Sequence, residues 1–167
     1  MPEIAVGTPA PDFSAPAVTR SGEAMLSPAD FRGKSALVLY FYPKDDTPGC
    51  TTQACGFRDM APDFEAAGAA IVGISPDDGA SHRAFAEKFA LPFPLLTDPD
   101  HAVAEAYGVW KEKNNYGKKY MGIERTTFVI DKAGLVARVY PRVKVEDHAP
   151  TVLAFVRTLA DARQTGR

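Results

Sequence analysis

The chain has 167 residues, within the roughly 100–200 of one domain, so a single domain spanning residues 1–167 is expected. Its 46% hydrophobic, 24% charged and 10% aromatic residues are those of a folded globular protein and argue against disorder or a fibre. With 19 Lys and Arg against 21 Asp and Glu the net charge is −2, too balanced for the basic footprint of a nucleic-acid binder or a membrane-surface protein. The first residues lack the basic start and apolar run of a signal peptide, and no stretch approaches the ~18 apolar residues of a membrane span, so a cytoplasmic protein is expected. Only Cys50 and Cys55 are present, too few for a disulfide-stapled scaffold. Two cysteines so close together in a reducing compartment point to redox or catalytic chemistry.

The elements alternate along the chain. Residues 1–33 form a Pro-rich lead-in with a small hairpin, Phe13–Val18 returning through Glu23–Leu26 across the turn Arg20-Ser21-Gly22. Ala36–Tyr42 is an unbroken apolar run stopped by Pro43, the pattern of a strand buried on both faces. After the polar loop 43–49 a helical pattern runs from about Cys50 to Ala67, with a kink or break expected at Pro62. Ala69–Ser75 reads as a strand, and Asp77 or Asp78 caps a helix over about 79–90 whose buried stripe includes Phe85 and Phe89. Pro94–Thr97 is a short apolar segment and Ala102–Tyr107 a short helix. Thr126–Ile130 and Leu135–Tyr140 are strands joined by the turn 131–134, and a helix from about Glu146 to Ala162 closes the chain. The expected fold class is α/β, a mixed central sheet with helices on both faces and an N-terminal hairpin extension.

The chemistry concentrates where the buried strand meets the first long helix. Cys50 falls in the first helical turn, where unpaired amides and the positive end of the helix dipole favour a thiolate. Thr47 lies three residues before it around Pro48-Gly49, so its hydroxyl can sit beside the sulfur, and Cys55 follows five residues later. A buried, inert cysteine is the alternative for a lone thiol; the polar surroundings and the second cysteine argue against it.

The segment from Phe41 through Cys55, followed by Phe57-Arg58-Asp59, resembles the peroxiredoxins, whose peroxidatic motif is Pro-x-x-x-Thr-x-x-Cys. A second Cys five positions later is similar to the Q-type subfamily, also called bacterioferritin comigratory proteins. The likeness extends through Ala10–Phe13, Gly73–Asp77, Leu91–Asp98, Tyr107–Trp110 and Gly122–Asp131, nearly the whole chain. The resemblance implies a thioredoxin-like fold and a thiol-dependent peroxidase acting on hydrogen peroxide and organic hydroperoxides. It implies that Cys50 is the peroxidatic cysteine, that Cys55 is the resolving cysteine, and that Pro43, Thr47 and Arg125 complete the site. It further implies recycling by thioredoxin or a similar dithiol reductant, with no cofactor and no metal. A monomer is expected, because the resolving Cys lies in the same chain.

These roles have physical sense. Attack of a thiolate on one peroxide oxygen drives charge onto the other, so Arg125 donors and the Thr47 hydroxyl aimed at the oxygens matter most in the transition state. Thr47 is expected to donate to substrate while accepting from the backbone. Pro43 bounds the loop and limits water access, and the resulting Cys50 sulfenic acid condenses with Cys55. Gln53 can accept from Arg125 without supplying a countercharge, or else is an exposed helical side chain. Trp110 walls the site or fills core. His82, His101 and His148 lack ligand spacing and are expected on solvated helices or loops. Two other readings stay open: a thiol–disulfide oxidoreductase, for which Cys-x-x-Cys would be the favoured spacing, and a metal-storage module, for which the histidines are too scattered. Because two helical positions five apart have Cα atoms roughly 8.7 Å apart, and a disulfide spans about 4.4–6.8 Å, the helix must open for a Cys50–Cys55 bond to close.

Overall fold

Seven strands form one sheet in the computed structural model, which describes residues 4–164, with side chains as far as residue 159. In chain order the strands are β1 (Ala15–Thr19), β2 (Gly22–Leu26), β3 (Ala36–Phe41), β4 (Ala69–Ser75), β5 (Leu95–Thr97), β6 (Trp110–Asn115), β7 (Lys118–Ile123), β8 (Thr126–Ile130) and β9 (Val136–Tyr140). The helices are α1 (Pro48–Ala66), α2 (Gly79–Phe89), α3 (Ala102–Ala106) and α4 (His148–Gln164). The main sheet runs β2-β1-β5-β4-β3-β8-β9, parallel between β3, β4 and β5 and antiparallel elsewhere.

The apolar run of β3 is central because it is covered twice. Ala36, Val38, Tyr40 and Tyr42 face a core shared with Phe57 and Phe64 of α1, Phe85 of α2 and Val152, Leu153 and Val156 of α4. Leu37, Leu39 and Phe41 face the opposite core with Val103 and Ala104 of α3, Tyr107 and Phe128. Alternation along a strand sends successive side chains to opposite faces, so a strand apolar on both must be interior. The expected α/β sheet with helices on both faces and an N-terminal hairpin is the one observed.

One expectation needs correction, and one element had no sequence expectation. Pro62 does not end α1: it removes the N–H due to the Arg58 carbonyl, yet the helix continues to its C-cap at Ala67. Residues 110–123, which carried no sequence prediction, form the separate β6–β7 hairpin. Its turn has Tyr116 at φ 53° and Gly117 at φ 82°, the doubly positive pair of a two-residue hairpin turn that matches strand twist. Among the described residues no helix is long and apolar enough to cross a membrane.

Candidate active site

Register brings the site together. Phe41, the last residue of β3, pairs with Thr126, the first of β8, so Arg125 emerges beside the loop that leads into α1. Thr47 is the N-cap of α1, in extended conformation, and Pro48 occupies the first turn, where its missing N–H costs nothing. The first helical bond runs from Thr51 N–H to the Thr47 carbonyl, so the Gly49 and Cys50 amides precede the hydrogen-bonded ladder. The helix thus begins two residues before its expected start, and Cys50 lies within its first turn.

Cys50 is 1% exposed. Arg125 donates from Nη2 to its Sγ at 3.3 Å and from Nη1 to Gln53 Oε1 at 2.7 Å. Gln53 is therefore a buried partner of the guanidinium rather than an exposed helical residue. The guanidinium also passes over Gly49, where an added Cβ would lie 3.1 Å from Arg125 Nη2, so close approach is what glycine permits there. The Arg125 carbonyl accepts from Val143 N–H at 2.9 Å, fixing the backbone behind the side chain.

Thr47 sits in the loop as expected, with its hydrogen bond in the opposite sense. Its hydroxyl donates to the Lys44 carbonyl at 3.0 Å, leaving its lone pairs to accept. Pro43 is exposed just beyond β3. Cys55 is half-buried in the same unbroken helix, and both cysteines are free thiols. Trp110 is partly buried against the second core, its ring stacked 3.6 Å from that of His101.

The most heavily bonded side chain in the loop before α1 is one that no sequence motif marks. Asp45 is buried: Oδ1 accepts from the Tyr42 hydroxyl at 2.6 Å, and Oδ2 accepts from Ser81 at 2.8 Å and lies 2.7 Å from His82 Nδ1. His82 is completely buried, with Nε2 2.7 Å from the Leu96 carbonyl, which corrects its expected solvated role. Ligand atoms of Asp45, Asp77 and His82 come within 4.8 Å of one another, but the Asp45 and His82 atoms are engaged by protein hydrogen bonds. His148 is likewise buried, its Nε2 2.8 Å from Thr127 Oγ1. Burial, with Arg125 as a second cause, lowers its pKa to about 4. Both histidines had a readable signal: His82, Phe85 and Phe89 share one helical stripe, as do His148, Val152 and Val156.

A thiol buried at a helix N-terminus under a guanidinium, on a thioredoxin-like sheet, defines a thiol-dependent oxidoreductase. The AhpC/TSA family pattern matches residues 6–139. Peroxiredoxin Bcp of Bacillus subtilis is 48% identical over 158 residues, covering 95% of this chain and 98% of that protein. A Coxiella burnetii chain bearing the same peroxiredoxin Bcp name is 53% identical over 150 residues, covering 90% and 97%. Among solved structures, the bacterioferritin comigratory protein of Xanthomonas campestris, described for its alkyl peroxide reduction activity, superposes with a TM-score of 0.85 at 39% identity, covering 93% of this chain and 99% of that one. The chain belongs to the AhpC/TSA family as a peroxiredoxin of the Q, or Bcp, type, a thiol-dependent peroxidase.

Proposed function

We propose that Cys50 is the peroxidatic thiol and Cys55 the resolving thiol of a hydroperoxide reductase that is recycled by thioredoxin or a similar dithiol. The observation that carries this reading is Arg125, bonded to Cys50 Sγ and braced by Gln53. The Cys50 thiolate attacks the distal oxygen of ROOH, the O–O bond breaks, and the departing alkoxide takes a proton to leave as ROH. Arg125 donors stabilise the sulfur before attack and the oxygen that gains charge during it. Thr47, its own proton committed to the Lys44 carbonyl, accepts from the hydroperoxide O–H and so turns the peroxide toward the sulfur. Pro43 borders the approach. The Cys50 sulfenic acid then condenses with the Cys55 thiol, releasing water and forming an intramolecular disulfide, which the external dithiol reduces.

The substrate class is hydrogen peroxide and organic hydroperoxides, in line with the alkyl peroxide activity described for the Xanthomonas campestris protein. We further infer one domain across the chain, a monomer in which both cysteines come from the same copy, and a cytoplasmic location where a dithiol donor is available. Neither nucleic acid nor membrane is invoked. Rapid-mixing peroxide consumption with intact-mass analysis tests the assignment. Cys50→Ser abolishes even one turnover, because a serine hydroxyl is not ionised at neutral pH. Cys55→Ser preserves one turnover and accumulates sulfenic acid on Cys50. A Cys50→Ser protein that still reacts stoichiometrically would sink it.

A further inference from the structure

The loop between β3 and α1 is held by one peptide group. The Lys44 carbonyl accepts the Thr47 hydroxyl at 3.0 Å, and the Asp45 N–H of the same peptide donates to Asp77 Oδ2 at 2.7 Å. Asp77 Oδ2 also accepts from the Ser75 hydroxyl at 2.7 Å, at the end of β4. The plane of that peptide sets where the Thr47 hydroxyl points, so whatever fixes Asp45 fixes Thr47.

The Asp45 side chain is fixed from three directions: Tyr42 beyond β3, and Ser81 and His82 on α2. His82 extends the chain of contacts to the Leu96 carbonyl on β5. That carbonyl can only accept, so Nε2 carries a proton. With Nδ1 2.7 Å from Asp45 Oδ2, the ring and the carboxyl group form a buried hydrogen-bonded bridge. Asp46, next in the loop at φ 58°, ties the same segment to α2 through Lys88 at 2.9 Å. Well-packed apolar residues often replace buried charged pairs with no loss of stability, so packing alone gives weak reason for such a bridge. It connects three elements outside α1 to the two-residue approach to Thr47.

We propose that Asp45 and His82 are positioning residues: they clamp the Lys44–Asp45 peptide and thereby aim the Thr47 hydroxyl at the hydroperoxide. The clamp rests on the reading of Cys50 as the attacking thiol. It acts through the loop that leads to the N-cap of α1.

The test compares two reagents at Cys50. Hydrogen peroxide needs an aimed acceptor; iodoacetamide needs only the thiolate. In His82→Gln the rate with peroxide falls about 10- to 100-fold, the scale of a misaligned reacting group, while the alkylation rate stays within about threefold. Ser81→Ala, a milder loosening that leaves His82 in place, shows a smaller fall in the same direction. Thr47→Val combined with His82→Gln is no slower with peroxide than Thr47→Val alone, since the clamp then has nothing to aim. Equal slowing with both reagents, or multiplicative effects of the two substitutions, overturns the clamp. A Cys50→Ser control that still consumes peroxide overturns instead the reading on which the clamp rests.

Discussion

Arg125 divides its guanidinium between two acceptors of different kinds, a thiol sulfur and an uncharged amide oxygen. Because Gln53 orients the fork without cancelling its charge, the full positive charge faces Cys50 and the space where a peroxide would react. Arg125→Ala should slow the peroxide step by about 10²–10³-fold, the usual loss when one preorganised donor is removed. Lys at this position should rescue poorly, because a point charge cannot hold Gln53 and the sulfur together. Second-order rates from competition or rapid mixing measure both, and a value within threefold of wild type would make the arginine structural. Cys50, Thr47 and Arg125 were legible because their motif is nearly contiguous or repeats a family pattern. The partners of Asp45 were not, since a loop aspartate pairs with a histidine 37 positions away and no local spacing reports it. His82 could have been suspected from its place on the apolar stripe of α2, where an unpaired polar ring would be costly.

At the scale of the element, α1 carries both thiols in one continuous helix, with Cα atoms roughly 8.7 Å apart by helix geometry, beyond the reach of a disulfide. A disulfide between them would therefore require part of the helix to come undone. Three features lower the cost. Gly56 weakens the interior by about 1 kcal/mol relative to Ala. Pro62 deprives it of one backbone bond. The buried Gln53 Nε2 on the helix and the Tyr40 hydroxyl on β3 have no hydrogen-bond partner among the described residues, and opening would admit water to them. Against opening stands Phe57, fully buried and stacked on Tyr40 with ring centroids 4.9 Å apart. Amide exchange should be faster across residues 50–60 in the oxidised protein than in the reduced one, while the strands keep their protection. Equal protection in both states, with the disulfide confirmed by mass, would contradict an opening helix. Most elements were legible for the reason α1 was: burial on one face or two writes a period into the sequence. The β6–β7 hairpin was not, because it stands off the main sheet with polar residues such as Lys113, Asn115 and Lys119 along it. Its turn begins with Tyr116 rather than the expected Asn or Gly, which hid the remaining signal.

Across the whole molecule, His148 joins three parts of one core: it begins α4, its Nε2 lies 2.8 Å from Thr127 of β8, and its ring meets Phe57 of α1 edge-on at 5.7 Å. Tyr140 of β9 covers it from another side at 5.5 Å. Among the described residues no carboxylate is hydrogen-bonded to the ring, and burial together with Arg125 lowers its pKa to about 4, against about 6.5 for an exposed imidazole. Folding therefore depends on pH with a definite sign. Between these values the unfolded chain binds a proton at His148 and the folded protein does not, so acid favours unfolding. The contribution is fully present above about pH 6.5, declines as pH falls, and is gone below about pH 4, amounting to roughly 3 kcal/mol. Urea unfolding of the reduced protein at several pH values should show this decline. His148→Gln, whose amide can still reach Thr127, should be less stable at pH 7 but lose about 3 kcal/mol less between pH 6.5 and 4. Because the ring packs against Phe57, the same substitution should also speed amide exchange in α1, coupling α1 to α4. Wild-type and variant curves that fall in parallel would place the acid sensitivity elsewhere in the fold.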